Sequence, residues 1–499
     1  MGETASETAA RTRAPFAAGG VGIVVLVQTA VLTVLSGGYG FHRDEFYYVA
    51  AGNRLAWGYV DQPPLTPALA RLATSLFGDT APGLRVVATL AGVATALVLA
   101  LLAREFGAGY AGQVITAVVT ALSGYVLVVS HMLSTTTIDM LVWSVLGLFT
   151  ARLLKTGDGR WWLAIGAATG VGLLNKWLVP LLLLALAVAV CITGPRKVFR
   201  TWWLAAGAAI ALAAVAPVLV WEARNGWPMV TFAGGISEND GAENRLMFVP
   251  LQIAYLSPAL VPVWIAGIVR LWKTPRLRSF SLAYPILCVV LLALGGKPYY
   301  SLPLLMLLTA AGVQPALEWF ARHRARRWWL VAAGLGAAVS LAIGLPIVPA
   351  QALGPVLALN KEQGEQIGWP GFVTTVSDAW RQVPEKANAV VFTSNYGEAS
   401  AIEHYGAAHD LPAPYSGHMS YADWGPPPDR MDGTVVLVGA FDRPARAFTG
   451  CREVAVQDTG IDNDERAPPS PCAPGPRPLG RHSGRASATS PDALGRVAA

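Results

Sequence analysis

Long apolar runs recur through the first 348 residues of this chain and limit the folds open to it. The first run, Ala18–Ser36, carries no ionisable side chain and is long enough to cross the hydrocarbon core of a bilayer, about 30 Å. Backbone polar groups inside hydrocarbon must bond within their own segment, so such runs fold as transmembrane helices. The chain is 54% hydrophobic before its 51 glycines are counted, which exceeds the roughly 45–50% of soluble chains. The sequence therefore predicts a polytopic α-helical membrane protein.

About eleven runs are long and apolar enough to be candidate spans. They are Ala18–Ser36, Val86–Ala103, Gln113–Ser130, Thr137–Leu153, Trp161–Leu174, Trp177–Ile192, Trp202–Trp221, Pro250–Val269, Phe280–Leu294, Tyr300–Leu317 and Trp328–Val348. Several lie at the short end of the range for a transmembrane helix. The two runs on either side of Asn175 and Lys176 can also be read as one. With an odd count, the two ends of the chain lie on opposite sides of the membrane.

Lysine and arginine concentrate in every second loop between these runs. The clusters are Arg152, Lys155 and Arg160; Arg196, Lys197 and Arg200; Arg270, Lys273, Arg276 and Arg278; and Arg322, Arg324, Arg326 and Arg327. Cytoplasmic loops carry an excess of these residues, so we predict a cell-membrane protein with a cytoplasmic N-terminus and an extracytoplasmic C-terminus. The first apolar run is then a retained signal-anchor. The net charge of +6 reflects this orientation and does not indicate a nucleic-acid partner.

This topology divides the chain into five parts. They are a cytoplasmic N-terminal segment (1–17), a transmembrane region (18–348) with outer loops at 37–85 and 222–249, a linker (349–387), a small extracytoplasmic α/β domain (388–463) and a disordered tail (464–499). The α/β prediction rests on buried strand patterns at Ala389–Phe392 and Thr434–Val438, with a helical pattern at Gly397–Tyr405 between them. The tail is rich in Pro, Arg and Ser. Cys451 and Cys472 lie in the exported part and could form a disulfide.

Both outer loops have features beyond those of short connectors. Leu65–Phe77 repeats apolar residues at helical spacing with Arg71 off that face, which predicts an interfacial helix lying on the membrane. In the second loop, Asn225–Pro228 and Gly234–Gly235 predict turns in a stretch that could move over a substrate.

Ionisable side chains at the outer ends of the spans form the candidate site. They are Asp44, Glu45, Asp61, His131, Asp139, Lys176 and Lys297. Such groups are costly in lipid and mark functional sites, although each has an ordinary alternative. A lysine can extend to lipid headgroups, Asp139 can favour a helix dipole, and Tyr299 and Tyr300 can belong to an interfacial aromatic belt. Their convergence on one membrane face favours acid–base groups facing an anionic phosphate.

Three motifs on this face resemble those of the GT-C glycosyltransferases, and more narrowly their protein-mannosyltransferase and aminoarabinose-transferase-like branch. The motifs are Asp44–Tyr48 (DEFYY), Gly58–Leu65 (GYVDQPPL) and Lys297–Pro303 (KPYYSLP). The resemblance covers roughly residues 37–345. It implies a GT-C fold, a sugar donor linked to polyprenyl phosphate, transfer on the extracytoplasmic side and Asp44 as the catalytic carboxylate. Gln62 stands where relatives carry Lys or His, and Tyr47 replaces a basic residue of the aminoarabinose branch, which argues against that donor.

The mechanism we hypothesise is an inverting transfer. Asp44 accepts the proton of an acceptor hydroxyl as it attacks the anomeric carbon, while Glu45 orients the acceptor or a neighbouring group. The residues assigned to the phosphate and lipid of the donor are Arg43, Lys176, Lys297, Tyr299 and Tyr300. The residues assigned to the acceptor or the sugar are Tyr48, Asp61, Gln62, His131 and Asp139.

The expected partners are a polyprenyl-phosphate-linked sugar, a glycan, lipid or protein acceptor, and membrane lipids. No metal-ligand spacing stands out, so we expect activity without a cofactor or metal, with a divalent ion left open. Tyr396, His404 and His418 are candidates for acceptor choice, but the sequence names neither the sugar nor the acceptor. The alternative functions are a transporter or lipid-linked-sugar flippase and a non-catalytic membrane scaffold. A transporter favours charges and broken helices near the bilayer centre, whereas the middles of these spans are free of charge.

Overall fold

The computed structural model describes residues 14–324, 326–441, 448–449, 454 and 470–474. Its helices are α1 (Ala18–Leu35), α2 (Arg43–Gly52), α3 (Leu65–Phe77), α4 (Ala81–Glu105), α5 (Tyr110–Ala121), α6 (Gly124–His131), α7 (Thr135–Thr156), α8 (Trp161–Leu173), α9 (Val179–Thr193), α10 (Trp202–Asn225), α11 (Pro228–Asn239), α12 (Gly241–Leu256), α13 (Val261–Trp272), α14 (Arg278–Leu294), α15 (Leu302–Arg322), α16 (Arg326–Gly344), α17 (Gly354–Leu357), α18 (Trp369–Arg381), α19 (Tyr396–Tyr405) and α20 (Ser420–Asp423). Its strands are β1 (Val390–Thr393), β2 (Tyr415–Ser416), β3 (Val435–Val438), β4 (Phe448–Thr449) and β5 (Ser470–Pro474). The predicted pairing of Cys451 and Cys472 and most of the predicted tail lie outside the described residues.

The described helices include six that are long and apolar enough to cross a membrane: α1, α4, α7, α10, α15 with the turn before it, and α16. Two bent pairs, α5 with α6 and α12 with the segment Pro258–Trp272, raise the count to eight if each pair is one span. Helices α8, α9 and α14 are apolar but shorter. The chain is therefore a polytopic, mostly helical membrane protein, and the count of eleven spans stays a prediction.

The predicted span Pro250–Val269 contains a sharp bend. Helices α12 and α13 meet there at 86°. Ser257 has a φ of +90°, and Pro258 lacks the N–H that a continuing helix would use. These two residues end α12 and turn the chain.

Small residues let the helices of the bundle approach closely. A Cβ atom on Gly267 of α13 would lie only 1.9 Å from the carbonyl oxygen of Leu308 in α15. A Cβ on Gly166 of α8 would lie 2.1 Å from the carbonyl oxygen of Gly207 in α10. Lipid gives no hydrophobic drive between helices, so such backbone contact is a main source of packing energy in a membrane.

The outer loops are mostly helical. Helix α3 has the bounds predicted from its apolar repeat, with Ala70 and Ala73 buried against the protein and Leu72, Leu76 and Phe77 exposed. This exposed apolar face is what an interfacial helix presents to lipid. In the second loop the left-handed Gly226 ends α10 as a turn, but the predicted turn at Gly234–Gly235 is wrong, because both glycines lie inside α11.

The C-terminal part forms a sheet in the order β2-β1-β3-β5-β4. Strands β1, β2 and β3 are parallel, and β5 is antiparallel to both β3 and β4. One hydrophobic core contains Phe46 of α2, Trp369 of α18, Ile402 of α19 and Val436 of β3. The C-terminal part therefore packs directly on the first outer loop, and its independence as a domain stays a prediction.

Helix α2 is held in place by a buried ion pair. Both Glu45 and Arg85 of α4 have fully buried side chains, and Arg85 Nη2 lies 2.6 Å from Glu45 Oε2. The carboxylate also accepts the backbone N–H groups of His42 and Leu133, at 2.9 and 3.0 Å. The bond to His42 completes a capping box, in which the His42 imidazole accepts the N–H of Asp44 at 3.1 Å.

Arg85 uses its remaining donors on the chain that leads into α2. Its Nη1 donates to the carbonyl oxygen of Ser36 at 2.6 Å, and its Nη2 donates to that of Gly40 at 2.7 Å. Nη2 also reaches the side-chain oxygen of Gln366 at 3.2 Å. One guanidinium thus links the end of α1, helix α2 and the segment before α18.

We expect Arg85→Met to lower the free energy of unfolding by about 3–5 kcal/mol, because it leaves the Glu45 carboxylate buried without its partner. Arg71→Met is the control, since the exposed side chain of Arg71 donates one hydrogen bond among the described residues, to Asn53. Loss of this side-chain bond should lower the free energy of unfolding by under about 1 kcal/mol. Thermal unfolding in detergent measures both. Equal melting temperatures for the two variants would contradict this role of the ion pair.

Candidate active site

Charged and aromatic side chains from six breaks or starts of helices meet on the face that the sequence predicts to be extracytoplasmic. They come from the first turns of α2, α7 and α19, the α8–α9 and α14–α15 connections, and the 3-10 turn Lys361–Gln366. Polar side chains at helix ends need not lie in hydrocarbon, which is why the charges collect there.

Asp44 is the acidic residue of α2 that stays open to solvent. Its side chain is 31% exposed, whereas that of the neighbouring Glu45 is fully buried. The hydroxyl of Tyr396 donates to Asp44 Oδ1 at 2.5 Å, and Arg43 Nε lies 3.9 Å from the same oxygen. Among the described residues, no hydrogen bond reaches Oδ2. This oxygen is therefore available to a ligand hydroxyl.

Asp61 lies beside Asp44 on the same wall. The hydroxyl of Tyr47 donates to Asp61 Oδ1 at 2.7 Å, and Ser420 Oγ lies 2.8 Å from the same hydroxyl. Burial raises the pKa of Asp61 to about 6, with a smaller contribution from the negative charge of Asp44 and an opposing one from the Tyr47 hydrogen bond. Two carboxyl groups with different environments thus share one wall of the site.

Lys176 faces these carboxylates from the connection between α8 and α9. Its ammonium group donates to Thr136 Oγ1 at 3.1 Å and lies 5.4 and 5.1 Å from the ring centroids of Tyr299 and Tyr300. Burial and the nearby Lys297 lower the pKa of Lys176 to about 8, although Asp139 and Asp44 oppose the shift. A partly desolvated cation of this kind binds an anion more strongly than one in water.

The two other predicted cations are more exposed. Lys297 Nζ lies 4.0 Å from Asp240 Oδ2, which the second outer loop supplies, and its side chain is 38% exposed. Arg43 Nη1 lies 3.6 Å from Glu365 Oε2. The outer ends of α2 and of the α14–α15 connection thus add positive charge to the rim of the site.

Glu362 and Glu365 are site residues that the sequence analysis missed. His42 Nε2 lies 2.9 Å from Glu362 Oε2. Burial favours the neutral acid, but the hydrogen bond from His42 and the charges of His42 and Arg43 lower the pKa of Glu362 to about 2. These glutamates lie in the segment predicted to be a linker, and a signal was available: Lys361–Gln366 carries three charges in a chain where only 14% of residues are charged.

Several predicted site residues are buried beneath the solvent-accessible surface around Asp44. Glu45 has no exposed surface, and its assignment as a catalytic residue stays a prediction. It holds α2. His131 is 4% exposed and lies 3.4 Å from Arg85 Nη1, which places it in the same buried network. Asp139 is 3% exposed and accepts from the indole of Trp143 at 3.1 Å.

Two further candidates line the interior of the first loop. Tyr48 is 6% exposed and lies near Thr135 at the start of α7. Gln62 is 2% exposed, and neither polar atom of its amide has a partner among the described residues. Arg85, which organises this interior, was missed because it directly precedes an apolar run and resembles an ordinary flanking charge.

Of the two histidines predicted to influence acceptor choice, one lies away from Asp44 and one lies beside Tyr396. His404 packs against Phe41 and Phe46 and lies 3.7 Å from Asp79, away from Asp44. His418 packs on the Tyr396 ring, with centroids 5.3 Å apart. In the described ranges no three His, Cys, Asp or Glu residues are grouped to hold a metal ion, and the metal-free reaction stays a prediction.

The fold and this outer-face site resemble those of the GT-C glycosyltransferases. The profile of a family described as dolichyl-phosphate-mannose-protein mannosyltransferase matches residues 61–221. No curated protein matches the chain. The resemblance to the protein-mannosyltransferase and aminoarabinose-transferase-like branch that the sequence suggested is thus confirmed by the family profile and by the fold described next.

Solved structures share the fold at low sequence identity. ArnT from Cupriavidus metallidurans bound to undecaprenyl phosphate has a TM-score of 0.58 and 17% identity, with 92% of this chain and 100% of that chain covered. The apo form of that protein gives 0.55 and 16% over the same shares. The oligosaccharyltransferase AglB from Archaeoglobus fulgidus, in complex with an inhibitory peptide and a dolichol-phosphate, gives 0.48 and 13%, with 85% of this chain and 69% of that chain covered.

We expect Asp61→Asn to stabilise the protein at neutral pH. Asp61 ionises near 3.8 in the unfolded chain and near 6 in the folded one, so the folded state keeps the proton longer and stability falls as the pH rises between these values. Asparagine avoids this loss and still accepts from Tyr47. The melting temperature should rise at pH 7 and the difference from wild type should shrink at pH 4.

The control for this experiment is Asp378→Asn, because the Asp378 side chain is 55% exposed and pairs only locally with Arg381. It should change the melting temperature little at either pH. A destabilised Asp61→Asn variant at pH 7 would contradict the unfavourable burial of this carboxylate.

Proposed function

We propose that this protein is a membrane glycosyltransferase that moves a sugar from a polyprenyl-phosphate donor to an acceptor hydroxyl on the extracytoplasmic face. The observation that carries the proposal is Asp44, a partly exposed carboxylate whose Oδ2 accepts no hydrogen bond from the described residues. It lies near Arg43 of its own helix and near Lys176 and Lys297 from two other parts of the chain. The shared fold with ArnT, solved with undecaprenyl phosphate, supports the donor class. The resemblance of the three sequence motifs supports the same class.

The reaction needs a base on one side of the anomeric carbon and an anion site on the other. Asp44 Oδ2 takes the proton of the acceptor hydroxyl while its oxygen forms the new bond to the anomeric carbon. The bond from this carbon to the phosphate oxygen breaks, and polyprenyl phosphate leaves with the electron pair. A single displacement of this kind inverts the configuration.

Lys176 is suited to stabilise the leaving phosphate. It is half-buried, donates to Thr136 and packs beside Tyr299 and Tyr300, so it needs little reorganisation as charge develops. Lys297 and Arg43 add charge from the rim, and the two tyrosines can donate hydrogen bonds or pack on the first isoprene units. Gln62 stands where the resembling family carries a cation. Its amide is uncharged and has no partner among the described residues, so we assign the phosphate to Lys176 instead.

The proposed orientation follows from the two ends of the bundle. At the end opposite the site, Glu105 of α4 pairs with Arg152 and Lys155 of α7. Arg276, in the connection between α13 and α14, donates to the carbonyl of Lys155 at 2.6 Å. Excess Lys and Arg mark the cytoplasmic side, which supports a cytoplasmic N-terminus and an extracytoplasmic site.

We expect purified protein to transfer sugar from one member of a panel of polyprenyl-phosphate sugars to acceptors in membrane extract. Asp44→Asn should lower turnover by about 100- to 10,000-fold, because asparagine cannot take the proton. Asp378→Asn is the exposed control and should keep full activity. The assay is run in detergent, where no gradient exists and a transporter or flippase would form no product.

Product formation that survives Asp44→Asn would remove this residue from the role of base. Wild-type protein that transfers nothing across the panel, yet moves lipid-linked sugar between leaflets of a vesicle, would favour the flippase.

We expect the rate to fall as the pH rises through about 8, because Lys176 then loses its charge. Lys176→Arg should retain activity above pH 8, since arginine stays charged. Lys176→Met should lose roughly 100- to 1,000-fold below pH 8, and its difference from wild type should shrink above pH 8, where the wild-type lysine is itself neutral. The control is Lys273→Met at the cytoplasmic end, and an unchanged alkaline limb in Lys176→Arg would contradict the assignment.

A further inference from the structure

We propose that the C-terminal part of the chain supplies a positioning residue, Tyr396, that fixes the Asp44 carboxylate for catalysis. The proposal rests on the proposed function of Asp44 as base. Tyr396 is the first residue of α19, and its hydroxyl donates to Asp44 Oδ1 at 2.5 Å across 352 residues of sequence. The C-terminal part thereby becomes a component of the active site.

The backbone around Tyr396 is held close to α2. Asn395 caps α19 by accepting the N–H of Glu398 at 3.0 Å, and the Glu398 carboxylate accepts from Ser394 at 2.9 Å. The next residue is Gly397, where a Cβ atom would lie 3.1 Å from the Cβ of Arg43. A larger side chain at this position would push the start of α19, and with it Tyr396, away from Asp44.

The ring of Tyr396 is also fixed. Its centroid lies 5.0 Å from that of Tyr47 and 5.3 Å from that of His418. Aromatic pairs at such separations contribute beyond their buried area. The hydroxyl therefore approaches Asp44 from a ring that has few alternative positions.

A second hydroxyl from the same part of the chain acts on the other carboxyl group. Ser420 Oγ accepts the N–H of Val60 at 3.3 Å and lies 2.8 Å from the hydroxyl of Tyr47, which donates to Asp61. Ser420 directly follows Met419, whose φ is +52°. A non-glycine residue in that conformation is strained, and such strain is found where a precise placement is needed.

The two carboxylate oxygens of Asp44 therefore have different roles. Oδ1 is held by Tyr396, so the carboxylate cannot rotate freely, and Oδ2 is presented to the acceptor. A misplacement of about 1 Å in a reacting group can cost about 100-fold in rate. Tyr396 does not touch the reacting atoms, so its contribution is orientation.

The test compares Tyr396→Phe with Tyr415→Phe. Phenylalanine keeps the ring packing of Tyr396 and removes only the hydroxyl. We expect kcat to fall roughly 10- to 100-fold while KM for the donor stays within about twofold. Tyr415 lies in β2 of the same part, and its hydroxyl lies 4.0 Å from the Met431 sulfur, so its loss should leave kcat unchanged. Equal kcat for Tyr396→Phe and wild type would overturn the proposal.

A second measurement does not depend on transfer. Melting temperatures of Tyr396→Phe, Asp44→Ala and the double variant test whether the two side chains are coupled. We expect Tyr396→Phe to lower the melting temperature of wild type and to have little further effect in Asp44→Ala. Additive shifts would overturn the Tyr396–Asp44 bond even in an active enzyme. Coupling in a protein that transfers no sugar would leave the bond standing and overturn the function of Asp44 instead.

Discussion

The ion pair between Glu45 and Arg85 organises the outer half of this molecule. Removing two charges from water is costly. Hydrogen bonds to both oxygens of the Glu45 carboxylate compensate for this cost. Because the guanidinium also binds carbonyl groups before α2, the pair sets both the position and the rotation of that helix. Successive residues of a helix point about 100° apart. Burying Glu45 therefore turns Asp44 toward the site.

The other charged groups of the site depend on interruptions of helices. Lys176 lies where α8 gives way to α9, and Lys297 where α14 gives way to α15. A continuous helix would carry these side chains into lipid, where a charged side chain has a high free-energy cost. The breaks instead form a polar layer beside the membrane, in which opposite charges face one another at short range.

Much of the fold was predictable because membrane insertion leaves a strong sequence signal. The apolar runs, the helix Leu65–Phe77 and the basic ends of the spans follow from length, periodicity and charge alone. Asp44, Asp61, Lys176 and Lys297 could be singled out because charges are rare in this chain, and the structure brings them to one face.

The parts that could not be predicted depend on contacts between distant segments. Arg85 looks like any residue that flanks a span, and only its partners show that it is buried. The roles of Glu362 and Tyr396 depend on packing across more than 300 residues, for which one sequence holds no periodic signal. The bend at Ser257 could not be predicted, because straight and bent helices have the same apolar sequence pattern.

The bond between Tyr396 and Asp44 has a consequence for biogenesis. Ribosomes make the chain from its N-terminus, so α2 is made long before α19 exists. Contacts between such distant residues form late, after the loop between them has been ordered. A nascent or truncated chain would thus hold a bundle of inserted helices but an unfinished site. The proposed activity would then begin only once α19 has folded against α2.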